Sequence, residues 1–211
     1  MAGLAGAGEA ALVGLAYGDI REHGVVGRRV LIHGASGGVG SLAVQIAKAY
    51  GAYVAAVCSS RNTAFVKSLG ADEVIDYTAI DLVDYVSASY KRHPFDLVVD
   101  NVGTRALIYA SHSFTTPAAT FVTVAGDIDV SSFASLLAKQ FLPGFLGGGQ
   151  RRHVFLSAPV TTASLDTLES LVAEGKLAVH VDREFACEEV VDAAEYVRKG
   201  HTRGKVVVCI S

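Results

Sequence analysis

Cysteine and positive charge are both scarce in this sequence. The 211 residues include only 3 cysteines, Cys58, Cys187 and Cys209, an odd number without a close pair. This pattern excludes a disulfide framework and a Cys-x-x-Cys metal site, and it predicts a reducing, intracellular environment. Lysine and arginine total 18 against 21 acidic residues, with no basic block, so binding to nucleic acid is not expected.

Long uncharged apolar runs are also missing. Residues 1–18 are rich in small apolar side chains, but Glu9 interrupts them and the first basic residue is Arg21, so the charged start of a signal peptide is absent. No other segment reaches the ~18 uncharged apolar residues that are needed to span a bilayer. We therefore expect a soluble, cytoplasmic protein without membrane contact.

The abundant residues point to a folded α/β domain. Hydrophobic residues make up 51% of the chain and charged residues 18%, which excludes a disordered linker. Short β-branched or aromatic runs alternate with stretches of helical period, the pattern of βαβ units around a buried parallel sheet. Helices are predicted at 40–50, 62–69 and 81–90. Strands are predicted at 29–33, 53–58, 73–75, 95–101, 120–125 and 153–158, enough for a doubly wound six-stranded sheet.

Two later segments break this alternation. Residues 131–149 form an apolar amphipathic stretch, which is either a mobile lid or interface element, or a surface helix docked on the sheet. Near the end, 177–185 and 205–210 have the composition of strands on either side of a helix at 187–199. Because an apolar run such as 206–210 would promote aggregation on an open edge, we expect it to pair with something outside the six-stranded unit.

The strongest functional signal is a glycine-rich turn between the first predicted strand and the first predicted helix. Its residues are Ala35, Ser36, Gly37, Gly38, Val39 and Gly40. A dinucleotide pyrophosphate needs a backbone without Cβ atoms in its way, followed by a helix N-terminus whose free N–H groups stabilise negative charge. Ala35 stands where the first glycine of the fingerprint would be, and the alternative is that the glycines merely form a tight turn. The strand–turn–helix context favours dinucleotide binding.

The end of the second predicted strand indicates which dinucleotide binds. An NAD site normally presents Asp or Glu to the ribose hydroxyls about 20 residues after the glycines. This sequence instead has Ser59, Ser60 and Arg61, whose hydroxyls and guanidinium suit a 2′-phosphate. The cofactor is therefore predicted to be NADP(H). The alternative, which is compatible with phosphate binding, is that one serine caps the following helix while Arg61 lies in solvent.

Metal-binding and catalytic motifs are missing. The 7 histidines show no His-x-x-x-His spacing and no neighbouring cysteine, so no metal is predicted. A Tyr-x-x-x-Lys pair, which a short-chain dehydrogenase would need, does not occur. His33, just before the glycine turn, could approach the cofactor but is interpreted as a core histidine, and Asp100 is interpreted as a carboxylate that bonds loop backbone. No catalytic residue is assigned.

Four segments together resemble one known family. They are 30–48, 68–77, 95–103 and 204–208. In these segments the sequence resembles the zinc-independent quinone oxidoreductase branch of the medium-chain dehydrogenase/reductase superfamily, which includes relatives of zeta-crystallin. The resemblance extends from about Ala10 to the C-terminus and implies a Rossmann-type nucleotide domain.

The resemblance also implies roles for single residues. Tyr77 resembles a residue that joins Ser59 and Arg61 around the 2′-phosphate, and Asn101 resembles one beside the nicotinamide ribose. The segments that would hold the nicotinamide carboxamide contain Val124, Ala125, Phe155 and Ser157. All these positions lie at the carboxyl ends of predicted strands, where open parallel sheets bind their ligands.

The same resemblance implies a domain organisation and a function. Residues 1–26 correspond to an interdomain helix and a remnant of an N-terminal catalytic domain, 27–175 to an NADP-binding domain, and 176–211 to the C-terminal strands and helix of the catalytic domain. The implied activity is NADPH-dependent hydride transfer to a quinone or an α,β-unsaturated carbonyl, in a homodimer formed through the sixth strand. The alternatives are an inactive NADP-binding module and an enoyl-reductase segment of a larger synthase.

Overall fold

The computed structural model describes residues 3–124, 151–156, 161–200 and 202–210. Within these ranges the helices are α1 (Ala5–Ala16), α2 (Gly38–Ala49), α3 (Thr63–Ser68), α4 (Leu82–Ser89), α5 (Arg105–Ala110), α6 (Thr162–Ala173) and α7 (Val190–Arg198). The strands are β1 (Arg29–His33), β2 (Tyr53–Cys58), β3 (Glu73–Asp76), β4 (Phe95–Asp100), β5 (Thr115–Thr123), β6 (Arg152–Phe155), β7 (Val181–Ala186) and β8 (Lys205–Cys209). Short 3-10 helices lie at Ser60–Asn62, Ser111–Ser113 and Cys187–Glu189. The amphipathic stretch at 131–149 lies outside the described residues.

Six parallel strands form the central sheet in the order β3-β2-β1-β4-β5-β6. Helices α1, α2 and α6 cover one face of this sheet, and α4 and α5 cover the other. Both faces of the inner strands are therefore buried: Val30 and Ile32 pack into the first cluster, and Leu31 between them packs into the second. The predicted α/β fold with a doubly wound, Rossmann-type six-stranded sheet is confirmed.

Strand β5 differs most from its predicted bounds, 120–125. It begins at Thr115, and the register shifts between Phe95 and Leu97 of β4, so that β5 carries extra residues in a bulge. Pro117 lies in this irregular part, where the missing proline N–H removes no regular ladder hydrogen bond. The apolar pattern becomes regular only from Thr120, which explains why it predicts too late a start.

Two helices were not predicted from the sequence. Helix α5 has only six residues, too few to display a helical period. In helix α6 half of the twelve residues are polar and only Leu168 and Leu171 are buried. Its start is marked by Thr161, whose hydroxyl accepts a hydrogen bond from the N–H of Ser164. Helix α1 lies within the segment 1–26 that the family resemblance assigns to an interdomain helix.

The two C-terminal strands pair with each other. β7 and β8 form a parallel two-stranded sheet, separate from the six-stranded one. The strand predicted at 177–185 begins only at Val181, because the backbone of Ala178 instead exchanges two hydrogen bonds, of 2.9 and 3.0 Å, with the side chain of Gln45 on α2. The apolar run at 206–210 therefore finds a partner outside the six-stranded sheet but within this chain. The domain boundaries inferred from the resemblance stay a prediction.

Candidate functional site

A cleft of about 750 Å³ opens at the carboxyl ends of the central strands, where β1 and β4 lie side by side and their connections diverge. The predicted site residues that line it are Ser36, Gly37, Gly38, Val39, Gly40, Ser59, Tyr77, Asn101 and Val124. The predicted residues Ala35, Ser60, Arg61 and Phe155 are described but do not line it. Ala125 and Ser157 lie outside the described residues. The cleft thus brings together the ends of four strands and the glycine turn.

The glycine turn leaves no room for a side chain at its tightest point. Gly34 turns the chain after β1 with a φ of +72°. A Cβ on Gly40 would lie only 2.2 Å from the carbonyl oxygen of Gly34. Helix α2 begins at Gly38, so the unpaired N–H groups of its first turn lie at the cleft. Ala35, which replaces the first glycine of the fingerprint, is fully buried beneath the turn and donates its N–H to a β2 carbonyl oxygen at 3.0 Å.

Strand β2 leads into the segment predicted to select the cofactor. Ser59 is buried and lines the cleft, whereas Ser60 and Arg61 are exposed in the adjoining 3-10 helix. Ser59 occupies the N-cap position of that 3-10 helix, but neither serine makes a side-chain capping hydrogen bond in the described residues, and Arg61 lies in solvent. Tyr77, which follows β3, is 46% exposed and lines the cleft.

A carboxylate from β3 lies next to this segment, and the sequence reasoning missed it because it considered only the end of β2. Asp76 Oδ1 accepts hydrogen bonds from the hydroxyl and the N–H of Thr78, at 2.6 and 2.9 Å. The Thr78 hydroxyl in turn lies 3.3 Å from the hydroxyl of Ser60. These hydrogen bonds hold the pKa of the Asp76 carboxyl below its ordinary value. Thr78 therefore already engages this charged oxygen.

Asn101 lines the cleft just after β4. Its backbone N–H and its side-chain Nδ2 both donate to the carbonyl oxygen of His33, at 3.1 and 2.8 Å. This pairing fixes the amide and leaves its Oδ1 buried, without a hydrogen-bond partner among the described residues. A buried acceptor of this kind in a cleft calls for a donor on a bound molecule or water.

Asp100 supports the same edge of the cleft from below. Its side chain is fully buried, and its two oxygens accept hydrogen bonds from the N–H groups of Val102, Gly103 and Thr104 at 2.9 to 3.0 Å. His33 Nδ1 lies 3.0 Å from Oδ1, a contact in which only the imidazole N–H can donate. Burial favours the neutral carboxyl, but these donors outweigh it, so the pKa of Asp100 lies below its ordinary value. Both interpretations made from the sequence, the buried histidine and the loop-binding aspartate, are confirmed.

The segment before β8, which the sequence reasoning left out of the site, closes one side of the cleft. It contributes Gly200 and Thr202 to the lining. The N–H of Gly204 donates to the carbonyl oxygen of Ser36 at 2.8 Å. The next residue, Lys205, lies over the start of α2: a Cβ on Gly38 would be 2.8 Å from Lys205 Cδ and 3.4 Å from its Nζ. A cation beside the positive end of a helix is unfavourable unless an anion binds near both, so this arrangement indicates an anion site.

Comparison with known proteins agrees with this geometry. A profile of the family described as zinc-binding dehydrogenase matches residues 69–208, more than half of the chain. The chain belongs to this family. The zinc-binding dehydrogenases are part of the medium-chain dehydrogenase/reductase superfamily, whose members are oxidoreductases that use nicotinamide cofactors. The resemblance stated from the sequence is therefore confirmed.

Individual relatives in the family include reductases of two kinds. The chain is 39% identical over 196 residues to the trans-enoyl reductase pgmF of Aspergillus terreus, which covers 90% of this chain and 53% of that protein. It is 34% identical over 203 residues to the mitochondrial NAD(P)H oxidoreductase RTN4IP1 of Homo sapiens, covering 90% and 50%. The quinone oxidoreductase structure from Coxiella burnetii superimposes with a TM-score of 0.81 at 33% identity, covering all of this chain and 60% of that one. The chain spans about half the length of the curated relatives that it matches.

The family description implies a metal, and the described residues do not offer it a site. In 3–124, 151–156, 161–200 and 202–210, no three His, Cys, Asp or Glu side chains lie together in a way that could hold a metal ion. Cys58 lines the cleft, but burial raises the pKa of its thiol to about 11, so it is not an activated nucleophile.

The described parts of the chain contain no helix with the length and apolar character needed to cross a bilayer.

Proposed function

We propose that this chain is the cofactor-binding part of an oxidoreductase that passes a hydride from NADPH to a quinone or an α,β-unsaturated carbonyl, without zinc. The observation that carries the proposal is the position of the Lys205 side chain over the N-terminus of α2, next to the Gly40 turn. Such a cradle fits the pyrophosphate of a dinucleotide. The names of the relatives, a trans-enoyl reductase and a quinone oxidoreductase, support the substrate class.

The preference for NADPH is supported by the segment after β2. Ser59 and Tyr77 line the cleft, and Ser60 and Arg61 lie beside it in the chain. No carboxylate follows β2 itself, and the nearby Asp76 is held by Thr78. Hydroxyl and guanidinium groups directly after β2, where an NAD site presents a carboxylate, suit a 2′-phosphate.

In this mechanism the nicotinamide ring, when bound, supplies the hydride at C4. The residues present would bind and orient the cofactor: the N–H groups of α2 and Lys205 would hold the pyrophosphate, and Asn101 Oδ1 would accept a hydrogen bond from the nicotinamide end. The carboxyl edge of the sheet excludes water from one side of the reacting atoms. Transfer to a quinone or enone needs a proton as well, which solvent can supply, so no described residue is assigned as the acid.

The first test measures NADPH and NADH binding to the purified chain by calorimetry, followed by loss of NADPH absorbance with a simple quinone and a simple enone. Tight NADPH binding with turnover is the expected result. Binding without turnover would favour the second candidate, a cofactor-binding module that is inactive by itself. No binding of either dinucleotide would contradict both.

Arg61→Ala tests the 2′-phosphate assignment. We expect NADPH affinity to fall about fivefold, as for the loss of one exposed charge-assisted contact, while NADH affinity stays unchanged. Calorimetry with both dinucleotides measures the ratio. Equal affinities for NADPH before and after the change would discard the contact between Arg61 and the phosphate.

Lys205→Met tests the anion site at α2. Because the pyrophosphate is common to both dinucleotides, we expect the affinities for NADPH and NADH to fall together, by about tenfold, with their ratio unchanged. Lys91→Met, which removes an exposed lysine between α4 and β4, serves as the control. A Lys205 variant that binds both cofactors like the wild type would show that the ammonium does not contact the pyrophosphate.

A homodimer through β6 is a further part of the proposal. Among the described residues, β6 is an edge strand of the six-stranded sheet, with one side paired to β5. An edge strand presents unpaired backbone groups to a second copy of itself, as isologous dimers require. A monomeric mass by sedimentation at the concentrations of the binding experiment would contradict it.

A further inference from the structure

Arg203 joins the segment before β8 to the turn after β2. Its Nε donates to Asn62 Oδ1 at 2.8 Å, and a terminal nitrogen donates to the carbonyl oxygen of Arg61, also at 2.8 Å. Asn62 is only 4% exposed, and its Nδ2 donates to the hydroxyl of Ser36 in the glycine turn at 3.0 Å. Both ends of the Asn62 amide are thus engaged, and hydrogen bonds run without interruption from Arg203 to the glycine turn.

A second connection closes these contacts into a ring. Gly204, next to Arg203, donates its N–H to the carbonyl oxygen of Ser36 at 2.8 Å. Three segments far apart in the sequence therefore hold one another, since Arg203 lies 141 residues after Asn62 and Asn62 lies 26 residues after Ser36. In a closed ring, no segment can shift without breaking at least one hydrogen bond.

We propose that Arg203 is a positioning residue that sets the turn Ser60–Asn62 at a fixed distance from the glycine turn, and thereby sets the selectivity for NADPH over NADH. The inference rests on the proposed function, in which the turn Ser60–Asn62 binds the 2′-phosphate and the glycine turn binds the pyrophosphate. Arg203 does not itself line the cleft, which separates its role from that of a ligand.

The guanidinium is suited to this role by its shape. It is planar and presents N–H donors in a rigid fork, and here two of them reach acceptors on the adjacent residues Arg61 and Asn62. A lysine at the same position would carry the same charge without the fork. The two side chains therefore distinguish positioning from simple attraction of a phosphate.

The experiment compares NADPH and NADH affinities by calorimetry for the wild type, Arg203→Gln and Arg203→Lys. The control is Arg198→Gln, which removes an exposed arginine at the end of α7. We expect both Arg203 variants to lose about tenfold in NADPH affinity and less than about twofold in NADH affinity, with no change in the control. Asn62→Ala should have the same effect, and the Arg203→Gln/Asn62→Ala double variant should lose no more than the larger single change.

The contrary outcomes are distinct. Recovery of wild-type NADPH affinity in Arg203→Lys would show that charge suffices, and equal losses for NADPH and NADH would show that the ring only stabilises the fold; either overturns the inference. A wild type that prefers NADPH, combined with an unchanged ratio in Arg203→Gln, overturns the inference but leaves the proposed function standing. A wild type that binds neither dinucleotide overturns both. If Arg203→Gln does not fold, Arg203→Lys carries the same comparison, because Arg203, unlike Asn62, does not line the cleft.

Discussion

Gly40→Ala is expected to destroy the cofactor site and to destabilise the fold. The new Cβ would lie 2.2 Å from the carbonyl oxygen of Gly34 and 2.8 Å from the Cα of Ala35. Both are backbone atoms, which cannot move aside as a flexible side chain can, so the start of α2 must shift. We expect the free energy of unfolding to fall by about 1–3 kcal/mol. NADPH affinity should fall about 100-fold, since the N–H groups of α2 no longer converge on one point.

Gly6→Ala is the matched control, because it makes the same chemical change inside another helix. A Cβ on Gly6, in the exposed part of α1, would meet nothing within 4 Å. Alanine favours the helix over glycine, so this variant should be about 0.5–1 kcal/mol more stable than the wild type, with unchanged NADPH binding. Urea denaturation without cofactor and calorimetry with it measure both effects. A Gly40→Ala protein with wild-type stability and affinity would refute the crowded geometry of the turn.

The sheet was predictable because its signals are local. In β1, the run from Val30 to Ile32 is apolar at every position since both faces of the strand are covered, and glycine follows where the chain must turn. Such signals occupy a few adjacent residues. Strand starts were predicted wrongly where the local pattern was interrupted. Pro117 lies in the irregular start of β5, which therefore does not look like a strand in the sequence. Ala178 lies within a predicted strand, but its backbone bonds the side chain of Gln45 instead of a neighbouring strand.

The cofactor site was predictable only in part, for the same reason. The glycine turn, Ser59 and Tyr77 lie in or directly after strands, so the rule that ligands bind at carboxyl ends finds them. Lys205 at the start of β8 and Arg203 just before it contact the two turns from more than 140 residues away, and no spacing in the sequence records that approach. The carboxylate of Asp76 was missed because the cofactor preference was argued only from the residues that follow β2, whereas β3 pairs with β2 in the sheet and ends beside it.

Asp100→Asn is expected to have the largest effect on stability of any isosteric change. Asp100 is fully buried and accepts four hydrogen bonds, three from backbone N–H groups and one from His33. An asparagine amide replaces one acceptor oxygen with an N–H₂ group, which would face a donor. Loss of the buried charge and of at least one acceptor should lower the free energy of unfolding by ~3 kcal/mol. Asp166→Asn, at an exposed position on α6, should change it by less than ~0.5 kcal/mol.

The pH dependence of the stability difference shows whether Asp100→Asn destabilises the protein by removing a charge or by disturbing the packing. The pKa of Asp100 is lowered in the folded protein, so its stabilising contribution is fully present above the ordinary carboxyl value of 3.8 and is lost as the pH falls through the lower folded value. The difference in stability between the wild type and Asp100→Asn should therefore be constant above about pH 5 and should narrow below pH 3.8. Urea denaturation of both proteins across this range measures it. A difference that stays constant into the acid range would mean that the variant suffers from packing alone, and that the carboxylate of Asp100 is not what orders the loop of Val102–Thr104 at the cleft.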